Sequence, residues 1–178
     1  CMAKLAKKSS LKSFKAENLR ITDKDLCSIA KNLGPSLESL RLSLYHPDDS
    51  HEKVGAGLYE LVQQALSSTS TIKVLTIEGL TYFDHESDPI DSRTPLEEMV
   101  ISLLEYNFTI EELKVPGLSQ ETRKVVDMYL AMNRAGRHQL FRSQYLSSTI
   151  LSDFLFRLNN SPDSLLYVIL NHPGLICR

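Results

Sequence analysis

The sequence is poor in the features that mark several common protein classes, beginning with cysteine. Its three cysteines are widely spaced, at positions 1, 27 and 177, and form no CxxC pair. This spacing gives neither a disulfide framework nor a zinc site, and it favours an intracellular, reducing compartment such as the cytoplasm, the nucleus or the plastid stroma. Cys27 lies on the apolar face of a predicted helix, which predicts a small buried thiol.

The chain also lacks an excess of one charge and any long apolar run. Its 20 Lys and Arg residues nearly balance 22 Asp and Glu residues, for a formal net charge of −2. Nucleic-acid binding usually needs a basic excess, so we do not expect a nucleic-acid partner. No apolar run approaches the ~18 residues of a membrane span, so no membrane insertion is expected.

Common catalytic motifs are absent. The sequence contains no GxxxxGK[ST], GxGxxG, GxSxG or HExxH, and its five histidines stand beside no defined nucleophile. We therefore expect a protein that is not an enzyme and that uses no cofactor and no small-molecule substrate.

What the sequence contains instead is an internal repeat. The pattern apolar-x-x-apolar-x-apolar occurs four times, each time directly after a Ser or a Thr. The four copies begin at Leu11, Leu37, Ile72 and Ile110, 26 to 38 residues apart. Alternating apolar and polar residues in a short segment predict a strand with one buried face.

Between these strands the apolar residues change to a helical period. Leu26, Ile29, Ala30 and Leu33 fall on one helix face, and similar patterns run over 58–66 and 96–104. Helix starts are indicated by the capping sequences at 22–25 and 94–97, the second with Pro at the first helical position. Each repeat is thus predicted to consist of a strand, a loop, a helix and a connection back to the next strand.

This pattern resembles the long leucine-rich repeat of ribonuclease-inhibitor-like proteins. In the first repeat Asn18 matches the family's asparagine, whereas Leu44, Gly79 and Gly117 depart from it, which would weaken the turn after the strand. The resemblance implies an α/β solenoid with short parallel strands on a concave face and helices on the convex face. Two helical patterns after residue 136, with no further strand motif, add a helical C-terminal cap. A parallel sheet covered on both faces is the alternative, but its strands would be continuously apolar.

Two regions are predicted. Residues 1–136 form a leucine-rich-repeat array of about four repeats, and because residues 5–11 resemble the end of a repeat helix, we expect further repeats upstream. Residues 137–178 form the cap, with one helix near 139–158 and another that starts at Ser161. Residues 129–137 and 161–170 also resemble the end of uncharacterised leucine-rich-repeat proteins from diatoms and related algae, which implies no activity.

Candidate binding residues are those that the strands would expose on the concave face: Lys15, Ser39, Arg41, Ser43, Thr76, Glu78, Glu112 and Lys114. The middle position of the four strands is basic in three cases, with Thr76 as the exception. Glu17, Glu78 and Glu112 are placed to compensate these cations. Two interpretations stay open: the face contacts an acidic partner segment, or it is a solvated and internally paired surface.

Two strand-to-helix loops, 45–52 and 82–89, are long and acidic, and adjacent repeats would bring them together. They are predicted to form either a solvated rim or a partner-binding rim, with Tyr45, His46, Tyr82 and Phe83 as contacts. A divalent metal site is less favoured, because the histidines and carboxylates lack helical i, i+4 spacing.

These observations favour a non-catalytic protein–protein interaction module or scaffold subunit of a larger assembly. The alternative is a regulator of a catalytic partner, such as a GTPase activator or a ubiquitin-ligase substrate receptor. Sensing of a pathogen or ligand would leave similar sequence features.

Overall fold

A computed structural model describes residues 10–44, 55–79, 94–142 and 148–171. The fold is α/β, with one four-stranded parallel sheet and, within these ranges, seven helices. The strands are β1 (Ser13–Leu19), β2 (Ser39–Leu44), β3 (Val74–Glu78) and β4 (Glu112–Lys114). The helices are α1 (Asp23–Lys31), α2 (Ala56–Ala65), α3 (Pro95–Tyr106), α4 (Gln120–Arg134), α5 (Arg137–Arg142), α6 (Ser148–Leu158) and α7 (Pro162–Asn171). None of these helices is both long and apolar enough to cross a bilayer.

The sheet order follows the chain, β1-β2-β3-β4, and every pair is parallel. A helix connects each strand to the next, as parallel pairing requires. The register confirms the predicted alignment of the four motifs. One row of partners is Ser13, Ser39, Val74 and Glu112, and the next polar row is Lys15, Arg41, Thr76 and Lys114.

The chain takes a left-handed backbone at three of the four positions that the motif aligns with asparagine. Asn18 has φ 53°, Gly79 has φ 84° and Gly117 has φ 79°. Asn and Gly tolerate this conformation better than other residues do. At Gly79 a Cβ atom would also collide with the backbone carbonyl of Leu44. The two glycines thus differ from the motif's asparagine in residue type, but they keep the backbone conformation of Asn18.

The predicted helix starts are confirmed at α1 and α3. Thr22 Oγ1 accepts a hydrogen bond from Asp25 N (3.3 Å), and the Asp25 carboxylate accepts one from Thr22 N (3.0 Å). Thr94 and Glu97 form the same reciprocal cap on α3, with Pro95 in the first turn. Each cap satisfies backbone donors that a helix leaves free at its N-terminus.

One core of apolar side chains lies between the helices and one face of the sheet. Alternate residues of β2, Leu40 and Leu42, are fully buried there, together with Leu75 and Ile77 of β3. The same cluster continues into the C-terminal helices, where Phe154, Leu158 and Val168 are buried. The alternating burial leaves the other face of the sheet for polar residues.

The C-terminal region is helical, as predicted, and differs in one detail. A single helix was expected over 139–158, whereas the structure has α5 and α6 there, with residues 143–147 outside the described ranges. Gly136, with φ 99°, separates α4 from α5, at the predicted helix stop. The division of the chain at 136 into an array and a cap stays a prediction.

Candidate functional site

The face of the sheet opposite the core carries most of the predicted binding residues. We call it the polar sheet face; it is formed by Ser13, Lys15, Ser39, Arg41, Ser43, Val74, Thr76, Glu78, Glu112 and Lys114. The strand register brings these side chains together, because neighbouring strands lie ~4.8 Å apart. Nine of the ten side chains are exposed or half-exposed.

Each cation of the middle row has an acidic partner. Lys15 Nζ lies 2.6 Å from Glu17 Oε1, and Lys114 Nζ lies 3.9 Å from Glu78 Oε1. The hydrogen bond and charge of Lys15 lower the pKa of Glu17. These pairs are exposed to solvent and are therefore worth little to stability. They do confirm that Glu17 and Glu78 compensate cations of the middle row, as the sequence predicted.

Arg41 and Glu112 form the third pair, which spans the sheet. Arg41 Nη2 donates to Glu112 Oε2 over 3.1 Å, although the two residues belong to β2 and β4. The pair therefore crosses β3 on the polar side. Both side chains are partly exposed, 42% for Arg41 and 37% for Glu112.

Thr76 requires a correction, because it was predicted to be an exposed contact. It is only 5% exposed, and its Oγ1 atom has no hydrogen-bond partner among the described residues. Thr76 is a short side chain in register between Arg41 and Lys114, and the Arg41–Glu112 pair crosses its strand. The longer neighbours thus account for its burial.

A second row of charges, which sequence reasoning missed, lies at the start of the strands. Glu38 pairs with Lys12 (3.5 Å) and with Lys73 (3.2 Å), and these lysines, above all Lys73, lower the pKa of Glu38. The signal was available: the second position of the four motifs reads Lys, Glu, Lys, Glu at 12, 38, 73 and 111. Because the parallel strands are in register, equivalent positions lie side by side, and each lysine of this row is next to a glutamate.

The predicted rim residues Tyr45, His46, Tyr82 and Phe83 lie outside the described residues. Within 10–44, 55–79, 94–142 and 148–171, no group of three His, Cys, Asp or Glu side chains is arranged to hold a metal ion.

Cys27 differs from its predicted state, since it is partly exposed rather than buried. Desolvation and a hydrogen bond to Glu60 raise the pKa of its thiol. A raised pKa lowers the thiolate fraction and thus the reactivity of the sulfur. Cys27 is therefore a poor candidate for a nucleophile.

Several buried polar residues hold the helices in place behind the polar sheet face. Asn107 donates to the carbonyls of Leu66 and Ser67 at the end of α2. Asn133 repeats this contact one unit later, on the carbonyls of Asn107 and Ile110. The sequence places an asparagine beside the end of α3 and another within the last turn of α4. A local pattern does not show which carbonyls these asparagines reach.

Glu97 connects two helix starts. Its carboxylate accepts from Thr94 N (2.8 Å) and from Ser119 N (2.7 Å), the residue that caps α4. Burial by itself raises the pKa of Glu97, but the hydrogen bonds from Ser119, Thr94 and Thr122 outweigh it and lower the pKa to about 2. The carboxylate is therefore ionised at neutral pH and stabilises both helices.

Arg137 closes the C-terminal end of α3. The residue is only 6% exposed, and its guanidinium group donates hydrogen bonds to the carbonyls of Leu104 and Glu105. It also lies over the rings of Phe108 (4.7 Å) and Tyr129 (4.9 Å). Burial lowers the pKa of Arg137, whose charge is held by the helix carbonyls and the aromatic faces.

Comparison with known proteins leaves the family open: no protein-family model matches the chain, and no curated protein matches it.

Proposed function

We propose that this chain is a leucine-rich-repeat solenoid that binds another protein through the polar sheet face, which forms its concave surface. The observation that carries the proposal is the register of the four strands. Equivalent polar residues of four successive repeats form continuous rows on one face, while the apolar motif residues form the core. Stacked units of this kind present broad surfaces for macromolecular partners.

The chemistry of the face favours recognition over catalysis. Its charges are compensated in pairs and spread over four strands. Surface pairs of this kind contribute little to folding, so they are available for exchange with a partner's charges. We propose a scaffold or recognition subunit that works in an intracellular, reducing compartment.

Crosslinking mass spectrometry on the native protein tests this function. Lys12, Lys15, Lys73 and Lys114 report on the sheet side, and the exposed helix residues Lys24 and Lys124 serve as controls. We expect reproducible crosslinks from the first set to one partner protein and few from the controls. Crosslinks confined to the chain itself, or equally frequent at both sets, would contradict binding by this face. An enzyme as the crosslinked partner would favour the regulatory alternative over a passive scaffold.

A further inference from the structure

The Arg41–Glu112 ion pair lies at the centre of the polar sheet face and joins strands that are not neighbours. The two residues are 71 positions apart in sequence, and their side chains meet over β3 at 3.1 Å. Both remain partly exposed, so water and other solutes compete for the contact. Such a pair is readily exchanged for another carboxylate.

An unsatisfied hydroxyl group lies between the cations of this region. Thr76 is in register between Arg41 and Lys114, and its buried Oγ1 atom has no hydrogen-bond partner in the part of the chain that the structure describes. A buried polar group without a partner is unfavourable, and native structures contain few of them. The hydroxyl gains a partner if the Arg41–Glu112 pair opens and an acceptor enters.

Lys114 supplies a third donor on the adjacent strand. Its contact with Glu78 is 3.9 Å long, the longest ion pair on this face, and both side chains are more than half exposed. Three adjacent strands thus present a guanidinium, a hydroxyl and an ammonium group. Each of these can donate a hydrogen bond to a carboxylate, and the two charged donors form the stronger bonds.

We propose that Glu112 is an internal substitute for a carboxylate of the partner protein. On binding, an Asp or Glu side chain of an acidic partner segment displaces Glu112 from Arg41 and lies between Arg41 and Lys114, where it accepts from Thr76. This inference rests on the proposed function and specifies the chemistry of the partner.

The arrangement favours an acidic partner over a basic one. The middle row carries only cations and a hydroxyl, so an incoming anion finds its donors side by side. The carboxylates Glu78 and Glu112 lie in different rows, on opposite sides of the middle row. A basic segment would therefore meet them separately, each already bound to a cation.

A defined probe tests the proposal on the full chain. Fluorescence anisotropy compares a labelled short peptide of alternating glycine and aspartate with one that has asparagine in place of aspartate. We expect the aspartate peptide to bind at least about ten-fold more tightly. Thr76→Val is expected to weaken that binding by roughly three-fold, because one hydrogen-bond donor is lost.

The decisive variant is Glu112→Gln, which removes the internal competitor and leaves the side chain's shape. It is expected to tighten binding of the aspartate peptide by roughly five-fold. Glu121→Gln, on the exposed start of α4, changes the net charge equally and is expected to change binding less than about two-fold. Circular dichroism checks that both variants are folded.

Equal binding of the two peptides, or an equal gain from Glu112→Gln and Glu121→Gln, would overturn the proposal. Either result leaves the crosslinking test of the proposed function untouched, because that test identifies a protein partner whatever its charge. Crosslinks from the sheet lysines without aspartate-peptide binding would mean that the face binds a partner of different chemistry.

Discussion

The two edges of the sheet are built from the same motif, yet they bury it differently. At the β1 edge the core-facing residues Phe14, Ala16 and Leu19 are only partly buried. At the β4 edge Leu113 is 8% exposed and Val115 is 6% exposed. The β4 edge is the one on which α4 packs and beyond which the C-terminal helices continue the core. Among the described residues, the apolar motif positions of β4 are thus buried more deeply than those of β1.

The polar contacts differ in the same direction. Near β1 they are solvent-exposed ion pairs, such as Lys12 with Glu38 and Lys15 with Glu17. Near β4 the exposed ion pairs of Glu112 and Lys114 are joined by buried hydrogen bonds, which are made by Glu97, Asn107, Asn133 and Arg137. Because buried bonds are costly to break and exposed pairs are not, we expect stability to be concentrated at the β4 edge.

The largest expected contrast comes from removing one phenylalanine from β1 and one from α6, in the C-terminal helices that continue the core beyond β4. Phe154→Ala leaves a cavity in the core and is expected to lower the free energy of unfolding by about 3–5 kcal/mol. Phe14→Ala, at the partly buried β1 position, is expected to cost less than about half of that. Urea denaturation of the two variants measures the difference. Equal losses would show that β1 and the C-terminal helices are equally well packed.

Acid is expected to weaken the β4 edge through Glu97. Its folded pKa of about 2 lies below the ordinary value of 4.5, so its stabilisation is complete above pH 4.5 and is lost as the pH falls towards 2. The shift corresponds to about 3 kcal/mol.

Glu97→Gln removes this part of the acid dependence, and Glu98→Gln, at an exposed position in the same helical turn, is the matched control. Denaturation curves between pH 2 and pH 6 measure both. An unchanged pH dependence in Glu97→Gln would contradict the assigned role of the carboxylate.

Arg137 provides a smaller test of the same edge. Arg137→Met keeps much of the apolar volume but leaves the carbonyls of Leu104 and Glu105 without their donor, at an expected cost of roughly 2–3 kcal/mol. Arg134→Met changes an exposed arginine nearby and is expected to cost less than about 0.5 kcal/mol. Thermal melting of the two variants distinguishes them, and a similar loss in both would reject the special role of Arg137.

Local sequence patterns predicted the four parallel strands and most of the helices. The four strands, their mutual register and the capped starts of α1 and α3 all depend on contacts within a few residues or on the repeat itself. The helix boundaries near Gly136 and Pro162 follow from residues that restrict the backbone locally. These features are predictable because a strand or helix end is determined mainly by its own residues.

The candidate site was predictable only in part. The rows of polar residues and the compensating glutamates followed from the period of the strands. The reach of Arg41 across β3, and the resulting burial of Thr76, depend on side-chain length and on a residue 71 positions away. The contacts of Asn107 and Arg137 with distant helix ends are of the same kind, and an isolated motif carries no information about them.

Charge reversal of the polar sheet face is the strongest test of whether this surface binds the partner. Lys15, Arg41 and Lys114 are changed to Glu together, and Lys24, Arg123 and Lys124 on the exposed helix surface are changed to Glu as a control with equal net charge. Affinity is measured for the partner identified by crosslinking, after circular dichroism confirms that both variants are folded. Binding by the sheet predicts a loss of at least about ten-fold in the first variant and little change in the control. Unchanged affinity after reversal of the sheet charges would contradict binding by the polar sheet face.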